Sequence, residues 1–141
     1  MVDRDLIIAK AASVRVHLDR IASKTGCDLQ VFLGDVDRQD IVAFNLSLAV
    51  ESCVDIAAHI ISQNAWGVPG SASEMFYLLQ DKGLLDPELT ERMVKAVGLR
   101  NLIVHEYGKI DWKLLFVAVR NDLTDLGSYL TQIFRGLDIT P

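Results

Sequence analysis

The C-terminal part of the chain carries an apolar pattern that requires a long amphipathic helix. Large apolar residues recur there at alternating intervals of four and three positions, in the order Trp112, Phe116, Val119, Leu123, Leu126, Leu130, Ile133 and Leu137. At about 3.6 residues per turn, this spacing places the whole series on one side of a helix. Such a helix must bury its apolar side against other helices, so the pattern predicts an antiparallel helical bundle.

Four more helices are predicted before this one from their apolar helical periods, and all but the second of them begin at a recognisable capping residue. Their approximate bounds, capping residues included, are Asp3–Thr25, Val36 or Arg38 to Ser62, Ser71–Lys82 and Asp86–Gly108. The second carries the apolar stripe of a core helix, formed by Ala43, Leu46, Val50, Cys53, Ala57 and Ile60 or Ile61. The segment from Cys27 to Asp40 has no sustained period, so we predict a connector tucked against the bundle.

No strand signal competes with these helices, and the sequence contains no internal repeat. The chain has 141 residues, of which 50% are apolar, so it is long enough to bury a core and too apolar to remain disordered. We therefore predict an all-α protein, a four- or five-helix up-and-down bundle that forms one domain over residues 1–141.

Composition also indicates the cellular compartment and argues against a metal or redox site. The longest apolar run, Leu114–Val119, is far shorter than a membrane span, and the charged N-terminal residues do not look like a signal peptide. Cys27 and Cys53 lack the CxxC spacing of metal or redox motifs, so both are expected to be reduced thiols. These features predict a soluble cytoplasmic protein that carries neither a metal nor another cofactor.

The charge balance argues against a broad nucleic-acid-binding surface. Such surfaces are usually basic, whereas this chain has a formal net charge of −5. The fourth predicted helix differs from this average, because its cations outnumber its anions: Arg92, Lys95, Arg100 and Lys109 against Glu88, Glu91 and Glu106. The sequence is therefore compatible with a local basic cleft on an acidic body.

The most reactive polar side chains lie near the end of this fourth helix, within Val97–Gly108. Arg100 is a permanent cation, His105 supplies an imidazole, which is the side-chain type suited to proton transfer near neutral pH, and Tyr107 is a phenol. Each helical residue advances by about 100°, so Arg100 and Tyr107 fall on nearly the same line while His105 lies roughly 140° from Arg100. A straight helix would therefore not bring the arginine and histidine side chains together.

Three arrangements would bring Arg100 and His105 together. The arginine side chain could bend round, the helix could unwind near Gly108, or a second copy of the chain could face the first. A twofold homodimer packed along this helix would supply two arginines and two histidines to one cleft. Such a cleft fits a metal-independent ribonuclease, which needs a base, an acid and a cation for the phosphorane. Asn101 would contact the substrate or orient His105, and Tyr107 would contact the phosphate or ribose.

The order of residues in this region resembles that of a known family. Arg100-Asn101 ahead of His105–Tyr107 resembles the signature of HEPN domains. Asp86-Pro87 before this motif and Lys109–Asp111 after it make the chain similar to the HepT-like HEPN toxins. Those toxins pair with minimal nucleotidyltransferase (MNT) antitoxins.

The resemblance implies a metal-independent, dimeric endoribonuclease toxin in which Arg100 and His105 are catalytic. It implies an RNA substrate, tRNA or mRNA, that is cleaved to a 2′,3′-cyclic phosphate, and a cognate nucleotidyltransferase antitoxin as partner. It also implies regulation, because the antitoxin of HepT-like systems can transfer AMP to the tyrosine of this motif, here Tyr107. An added phosphodiester would occupy the electrostatic niche of the substrate.

Two other functions stay open. A catalytically silent HEPN module would help a partner nucleotidyltransferase to bind its ligand without cutting RNA, and a helical dimer would serve structure alone. The complete set of Arg100, Asn101, His105 and Tyr107 favours the ribonuclease, whereas the acidic composition favours the other two.

A second polar group, Glu51, Asp55 and His59, lies on one face of the second predicted helix, since its members are four residues apart. Carboxylates and an imidazole at this spacing could form half of a metal site, but two good ligands on one helix rarely suffice. We interpret the group as a polar network that faces Arg100 or the partner copy. Asp55 is predicted to support Arg100.

Overall fold

The computed structural model describes residues 2–140, and every regular element among them is helical. The elements in chain order are α1 (Arg4–Thr25), α2 (Leu29–Leu33), α3 (Val36–Gln63), α4 (Ala72–Asp81), α5 (Pro87–His105), a 3-10 turn (Tyr107–Lys109) and α6 (Trp112–Gly136). The all-α prediction is confirmed. The five predicted helices correspond to α1, α3, α4, α5 and α6.

Side-chain caps fix where the long helices begin. Four aspartates accept a hydrogen bond from a backbone N–H in the first turn of the helix that follows, namely Asp3, Asp35, Asp86 and Asp111. At α4, Ser71 accepts from the backbone N–H of Glu74 at 3.2 Å, and the Glu74 carboxylate accepts from the N–H of Gly70 at 2.6 Å. These bonds satisfy donors that a helix start otherwise leaves unpaired, which is why capping residues predicted the starts well.

The central element is α3, because it contacts each of the other five α-helices. Its predicted apolar stripe is buried along its whole length, and no member is more than 2% exposed. By length and composition alone α3 would also pass as a membrane-crossing helix, but 61% of that apolar window is buried inside the bundle. The hydrophobicity of α3 is therefore accounted for by its central position.

The apolar repeat on α6 faces the core as predicted. Five of its eight members are buried and the other three are half-buried, the buried ones being Phe116, Val119, Leu126, Leu130 and Ile133. From the same helix, the Tyr129 hydroxyl donates to the carbonyl of Cys53 on α3 at 2.9 Å. A buried hydrogen bond thus ties α6 to the central helix in addition to the apolar contacts.

The region predicted as a connector contains the one-turn helix α2. A helix of five residues is too short to show an apolar period, so the sequence pattern missed it. Phe32 is fully buried and packs against Phe116 with ring centres 4.9 Å apart. Val31 and Leu33 stay exposed, so Phe32 alone anchors this helix fully in the core.

The end of α5 differs from the prediction. The helix stops at His105 rather than at Gly108, because Glu106 adopts φ −140° and ψ 47°, outside the helical range. The Glu106 N–H still donates to the carbonyl of Leu102 at 2.8 Å, and the 3-10 turn follows. Gly108 lies inside this turn and does not adopt the left-handed conformation that makes glycine a helix terminator.

Candidate active site

The last turns of α5 carry Arg100, Asn101 and His105. Arg100 is half-buried, and its Nη1 donates to Oδ1 of Asn101 at 3.0 Å. Its Nε is buried and has no hydrogen-bond acceptor within residues 2–140. No carboxylate in that range forms an ion pair with this guanidinium. The charge of Arg100 is therefore available to an external anion such as a phosphate.

His105 is the last residue of α5, and its side chain is exposed. Since an α-helix rises about 1.5 Å per residue, His105 lies about 7.5 Å along the axis from Arg100 and about 140° around it. The two side chains leave the helix in different directions, and the guanidinium bonds to Asn101 rather than to His105. A substrate hydroxyl can approach the imidazole directly from solvent.

Tyr107 belongs to the 3-10 turn and is anchored outside α5. Its hydroxyl donates a hydrogen bond to Oδ1 of Asp40 on α3, and its ring meets the Trp112 ring edge-on with centres 5.5 Å apart. Partial burial, together with the hydrogen bond to the Asp40 carboxylate and its negative charge, raises the pKa of Tyr107 to about 12. Tyr107 is therefore a neutral phenol at physiological pH, held against the central helix.

Of the three arrangements considered for Arg100 and His105, unwinding of the helix occurs, but after His105 and before Gly108. The break leaves both side chains on the regular helix and removes Tyr107 from it. The expectation that Arg100 and Tyr107 share a line is therefore wrong, because it required an unbroken helix. Within one chain, the break does not bring Arg100 and His105 together.

The prediction that Asp55 supports Arg100 is wrong. Asp55 Oδ2 lies 3.0 Å from Nζ of Lys10 on α1, and His59 Nε2 accepts from the backbone N–H of Asp3 at 2.9 Å. This face of α3 therefore packs on α1, whereas Arg100 belongs to α5. Helical periodicity correctly grouped the polar residues on one face but could not tell which neighbouring helix that face meets.

Sequence reasoning missed Asp40, although it contacts the phenol of the motif. Asp40 and Tyr107 are 67 positions apart and lie on different elements, so no local spacing links them. The one available signal was a carboxylate beside the apolar residues Ile41 and Phe44, which are exposed on α3. Exposed acidic residues are too common for that signal to identify a site.

A groove of about 620 Å³ runs between α5 and α6 beside the motif. It is lined by three of the four basic residues counted earlier, Arg92, Lys95 and Lys109, and two of these three are neutralised. Arg92 Nε lies 2.9 Å from Asp125 Oδ1, and Lys109 Nζ lies 3.2 Å from Glu106 Oε1. Lys95 forms no ion pair with the described residues. The local excess of positive charge is thus smaller than the count along α5 predicted.

Comparison with known proteins places the chain in one family. Residues 14–133 match the family described as ribonuclease HepT-like. The chain is 35% identical over 129 residues to the mRNA nuclease HepT of Shewanella oneidensis, an alignment that covers 92% of this chain and 96% of that protein. It is 32% identical over 117 residues to the tRNA nuclease HepT of Aphanizomenon flos-aquae, covering 83% of this chain and 80% of that protein.

Solved structures agree with this match. A tri-AMPylated HEPN toxin of Shewanella oneidensis, in complex with an MNT antitoxin, superposes with a TM-score of 0.85 at 35% identity, covering 92% of this chain and 96% of that one. The cytosolic protein YutE of Bacillus subtilis, of unknown function, superposes with a TM-score of 0.84 at 20% identity over 97% of this chain and 92% of that one, which supports the fold alone. The resemblance inferred from the Arg100–Tyr107 region is confirmed, and the chain belongs to the ribonuclease HepT-like family.

Proposed function

We propose that this chain is the toxin of a toxin–antitoxin pair and acts in the cytoplasm as a metal-independent endoribonuclease. The observation that carries the proposal is the presence on one helix of Arg100, which no carboxylate in residues 2–140 neutralises, and of the exposed imidazole of His105. Membership of the ribonuclease HepT-like family supports the same activity, as do relatives named as mRNA and tRNA nucleases.

In the proposed mechanism, His105 accepts the proton of a ribose 2′-hydroxyl, whose oxygen attacks the adjacent phosphorus. The Arg100 guanidinium binds the non-bridging phosphate oxygens, where negative charge grows in the transition state. Asn101 holds that guanidinium in place through its 3.0 Å hydrogen bond. The 5′ oxygen leaves with a proton from a second imidazole, and one RNA product ends in a 2′,3′-cyclic phosphate.

The need for a second imidazole leads us to place the cleft between two copies of the chain. One copy carries a single His105, so it cannot supply both the base and the acid, and Arg100 leaves α5 in a different direction from that imidazole. A twofold axis near this segment would bring a second His105 and a second Arg100 to the same RNA strand. The homodimer is thus part of the proposed catalytic arrangement.

The second part of the proposal is neutralisation by an MNT nucleotidyltransferase antitoxin that transfers AMP to Tyr107. The related toxin of Shewanella oneidensis is AMPylated in its complex with such an antitoxin. Tyr107 is 41% exposed and lies two residues after His105, so a nucleotide donor can reach its hydroxyl. The transferred phosphodiester is an anion beside the groups that must bind RNA phosphate, and it would exclude the substrate by repulsion and bulk.

The test is cleavage of total cellular RNA by purified protein in the presence of EDTA. His105→Ala is expected to reduce cleavage at least about 100-fold, the usual contribution of a general acid–base residue. His59→Ala is the matched control, because it removes an imidazole that binds the backbone of Asp3 on the α1 side of the bundle. Wild-type fragments should end in 2′,3′-cyclic phosphate.

Each alternative outcome has a clear meaning. Equal cleavage by wild type and His105→Ala would show that this imidazole is not catalytic. Absence of cleavage by the unmodified wild type would contradict the ribonuclease proposal and favour a non-catalytic HEPN module that assists a nucleotidyltransferase. The acidic net charge of −5 is the observation that favours this second function.

A further inference from the structure

Asp40 is the acceptor of the Tyr107 hydroxyl and takes no part in the RNA cleavage described above. It lies in the second turn of α3, the central helix, while Tyr107 lies in the 3-10 turn that follows α5. The carboxylate is exposed on its free side. The contact thus places one carboxylate oxygen directly on the atom that a nucleotidyltransferase would modify.

The surroundings hold the phenol on this carboxylate. The edge-on Trp112 ring, 5.5 Å from the Tyr107 ring centre, restricts rotation of the phenol away from α3. The nearest cation on α3, Arg38, is occupied elsewhere, since it bonds to Asp35 Oδ2 at 3.4 Å and to the carbonyl of Lys24 at 3.1 Å. Asp40 forms no ion pair with the described residues, so its lone pairs are free to accept the phenol proton.

Transfer of a nucleotide to tyrosine requires that the hydroxyl lose its proton. Burial and the Asp40 hydrogen bond raise the pKa of Tyr107 to about 12. At pH 7 only about one such phenol in 10⁵ is ionised, so spontaneous ionisation supplies very little nucleophile. The proton must leave as the new bond forms, and a base already hydrogen-bonded to it lowers that barrier.

We propose that Asp40 is the base for nucleotidylation of Tyr107. As the phenol oxygen forms a bond to the α-phosphorus of a nucleoside triphosphate, the bond from that phosphorus to the bridging oxygen of the β-phosphate breaks and pyrophosphate leaves. The phenol proton passes to the Asp40 carboxylate. This role rests on the proposed function, because the partner nucleotidyltransferase supplies the triphosphate and binds it.

Nucleotidylation also removes the hydrogen bond between Tyr107 and Asp40 that favours the reaction. Once Tyr107 is esterified, its oxygen has no hydrogen to donate, and the attached phosphodiester carries a negative charge towards Asp40. Hydrogen bonding is replaced by repulsion between like charges, so the nucleotidylated side chain moves away from α3. The toxin's own carboxylate thereby favours the forward reaction and disfavours return of the modified side chain to its starting position.

The test is a time course of intact mass with the full chain, the MNT antitoxin of the Shewanella oneidensis complex, ATP and Mg²⁺. Asp40→Asn is expected to gain AMP at least about tenfold more slowly than wild type at pH 7. Its rate should also increase with pH, because hydroxide must replace the missing carboxylate. Asp37→Asn is the matched control, since it removes an exposed carboxylate one turn earlier on α3. Thermal melts establish that both variants are folded.

The outcomes separate this inference from the function on which it rests. Equal rates for wild type and Asp40→Asn would overturn the role of Asp40 while leaving Tyr107 as the modified residue. A slow Asp40→Asn variant whose pH dependence matches wild type would assign Asp40 a merely positioning role and would also overturn the base. Modification that persists in Tyr107→Phe, or a wild type that gains no mass, would contradict the modification step itself.

Discussion

Two buried side-chain polar atoms in residues 2–140 have no hydrogen-bond partner, and they lie on adjoining helices: Arg100 Nε on α5 and Asp122 Oδ2 on α6. An unpaired buried polar group costs about 1–3 kcal/mol. Arginine cannot lose its charge, so that cost persists until an anion binds. Aspartate can take up a proton, and burial together with repulsion from Asp125 raises the pKa of Asp122 to about 7.

Asp122 makes stability depend on pH in a direction opposite to that of most carboxylates. Its pKa is higher in the folded chain than the ordinary 3.8, so folding favours the protonated form. The contribution of Asp122 to folding stability is fully present below about pH 4 and is lost as the pH rises through about 7. Asp122→Asn is therefore expected to raise the free energy of unfolding at pH 8 by about 2 kcal/mol and to have little effect at pH 4.

Chemical denaturation at the two pH values measures this difference. Asp19→Asn is the control, because Asp19 is exposed on α1 and should change stability equally little at both. A pH-independent effect of Asp122→Asn would mean that the carboxyl is not the titrating group.

For individual residues, the sequence pattern grouped those that are close together in the chain, but it could not predict contacts between residues that are far apart in the chain. Arg100, Asn101, His105 and Tyr107 form a compact pattern in the chain, so chemistry and spacing identified them together. The Tyr107–Asp40 contact depends on how α3 and the turn pack, which no nearby residue encodes. The partner of Asp55 was assigned wrongly for the same reason, since choosing between Lys10 and Arg100 requires the helix arrangement.

At the scale of elements, two glycines near helix ends have different roles. Gly83 follows α4 with φ +78°, in the left-handed region that favours glycine. Gly108 follows α5 without a positive φ, and a Cβ placed there would meet no atom within 4 Å. Sequence alone treats both as helix terminators, because it cannot separate a glycine that ends a helix from one that comes after a break made by Glu106.

Substitution by alanine distinguishes the two glycines. Gly83→Ala forces a side chain into left-handed backbone and is expected to cost about 1 kcal/mol or more of folding stability. Gly108→Ala should change stability by less than about 0.5 kcal/mol. Thermal or urea unfolding of the two variants measures both values, and a larger loss for Gly108→Ala would mean that Gly108 itself ends the helix.

Capping residues and apolar periods predicted the long helices because each of these signals lies within a few residues of the structure that it determines. The stripe on α3 is buried as expected, and the series on α6 is buried or half-buried. The one-turn α2 carries no comparable signal, because Phe32 is held by its contact with Phe116 on another helix. Elements shorter than about two helical turns are therefore where pattern-based prediction fails for this chain.

For the molecule as a whole, the acidic body limits the number of free cations that can bind RNA phosphates. Arg92 and Lys109 are engaged by Asp125 and Glu106, so few cations beside the motif remain free. In the proposed dimer, RNA binding is therefore expected to depend strongly on Arg100 of each copy and on the contacts that the two copies make together. A surface with so few free cations disfavours non-specific binding of polyanions.

A mixing experiment tests whether the cleft spans two copies. Arg100→Ala and His105→Ala are each expected to be inactive alone. When they are unfolded and refolded together, mixed dimers retain one arginine and one of the two histidines. Cleavage should rise above that of either variant alone but stay well below wild type, because one of the two proton-transfer groups is still missing. The control mixes Arg100→Ala with the Arg100→Ala/His105→Ala double variant, which restores no arginine. Activity no higher in the first mixture than in the control would contradict complementation between copies.

The break after His105 has a consequence for how such proteins diverge over generations. Arg100 and His105 belong to α5, whereas Tyr107 belongs to a turn that Asp40 and Trp112 anchor separately. Substitutions in the 3-10 turn therefore need not disturb α5, so the two segments can diverge separately in evolution. If the proposed roles hold, changes that remove the nucleotide acceptor Tyr107 and its partner Asp40 can leave Arg100 and His105 in place, and changes to Arg100 and His105 can leave the acceptor in place.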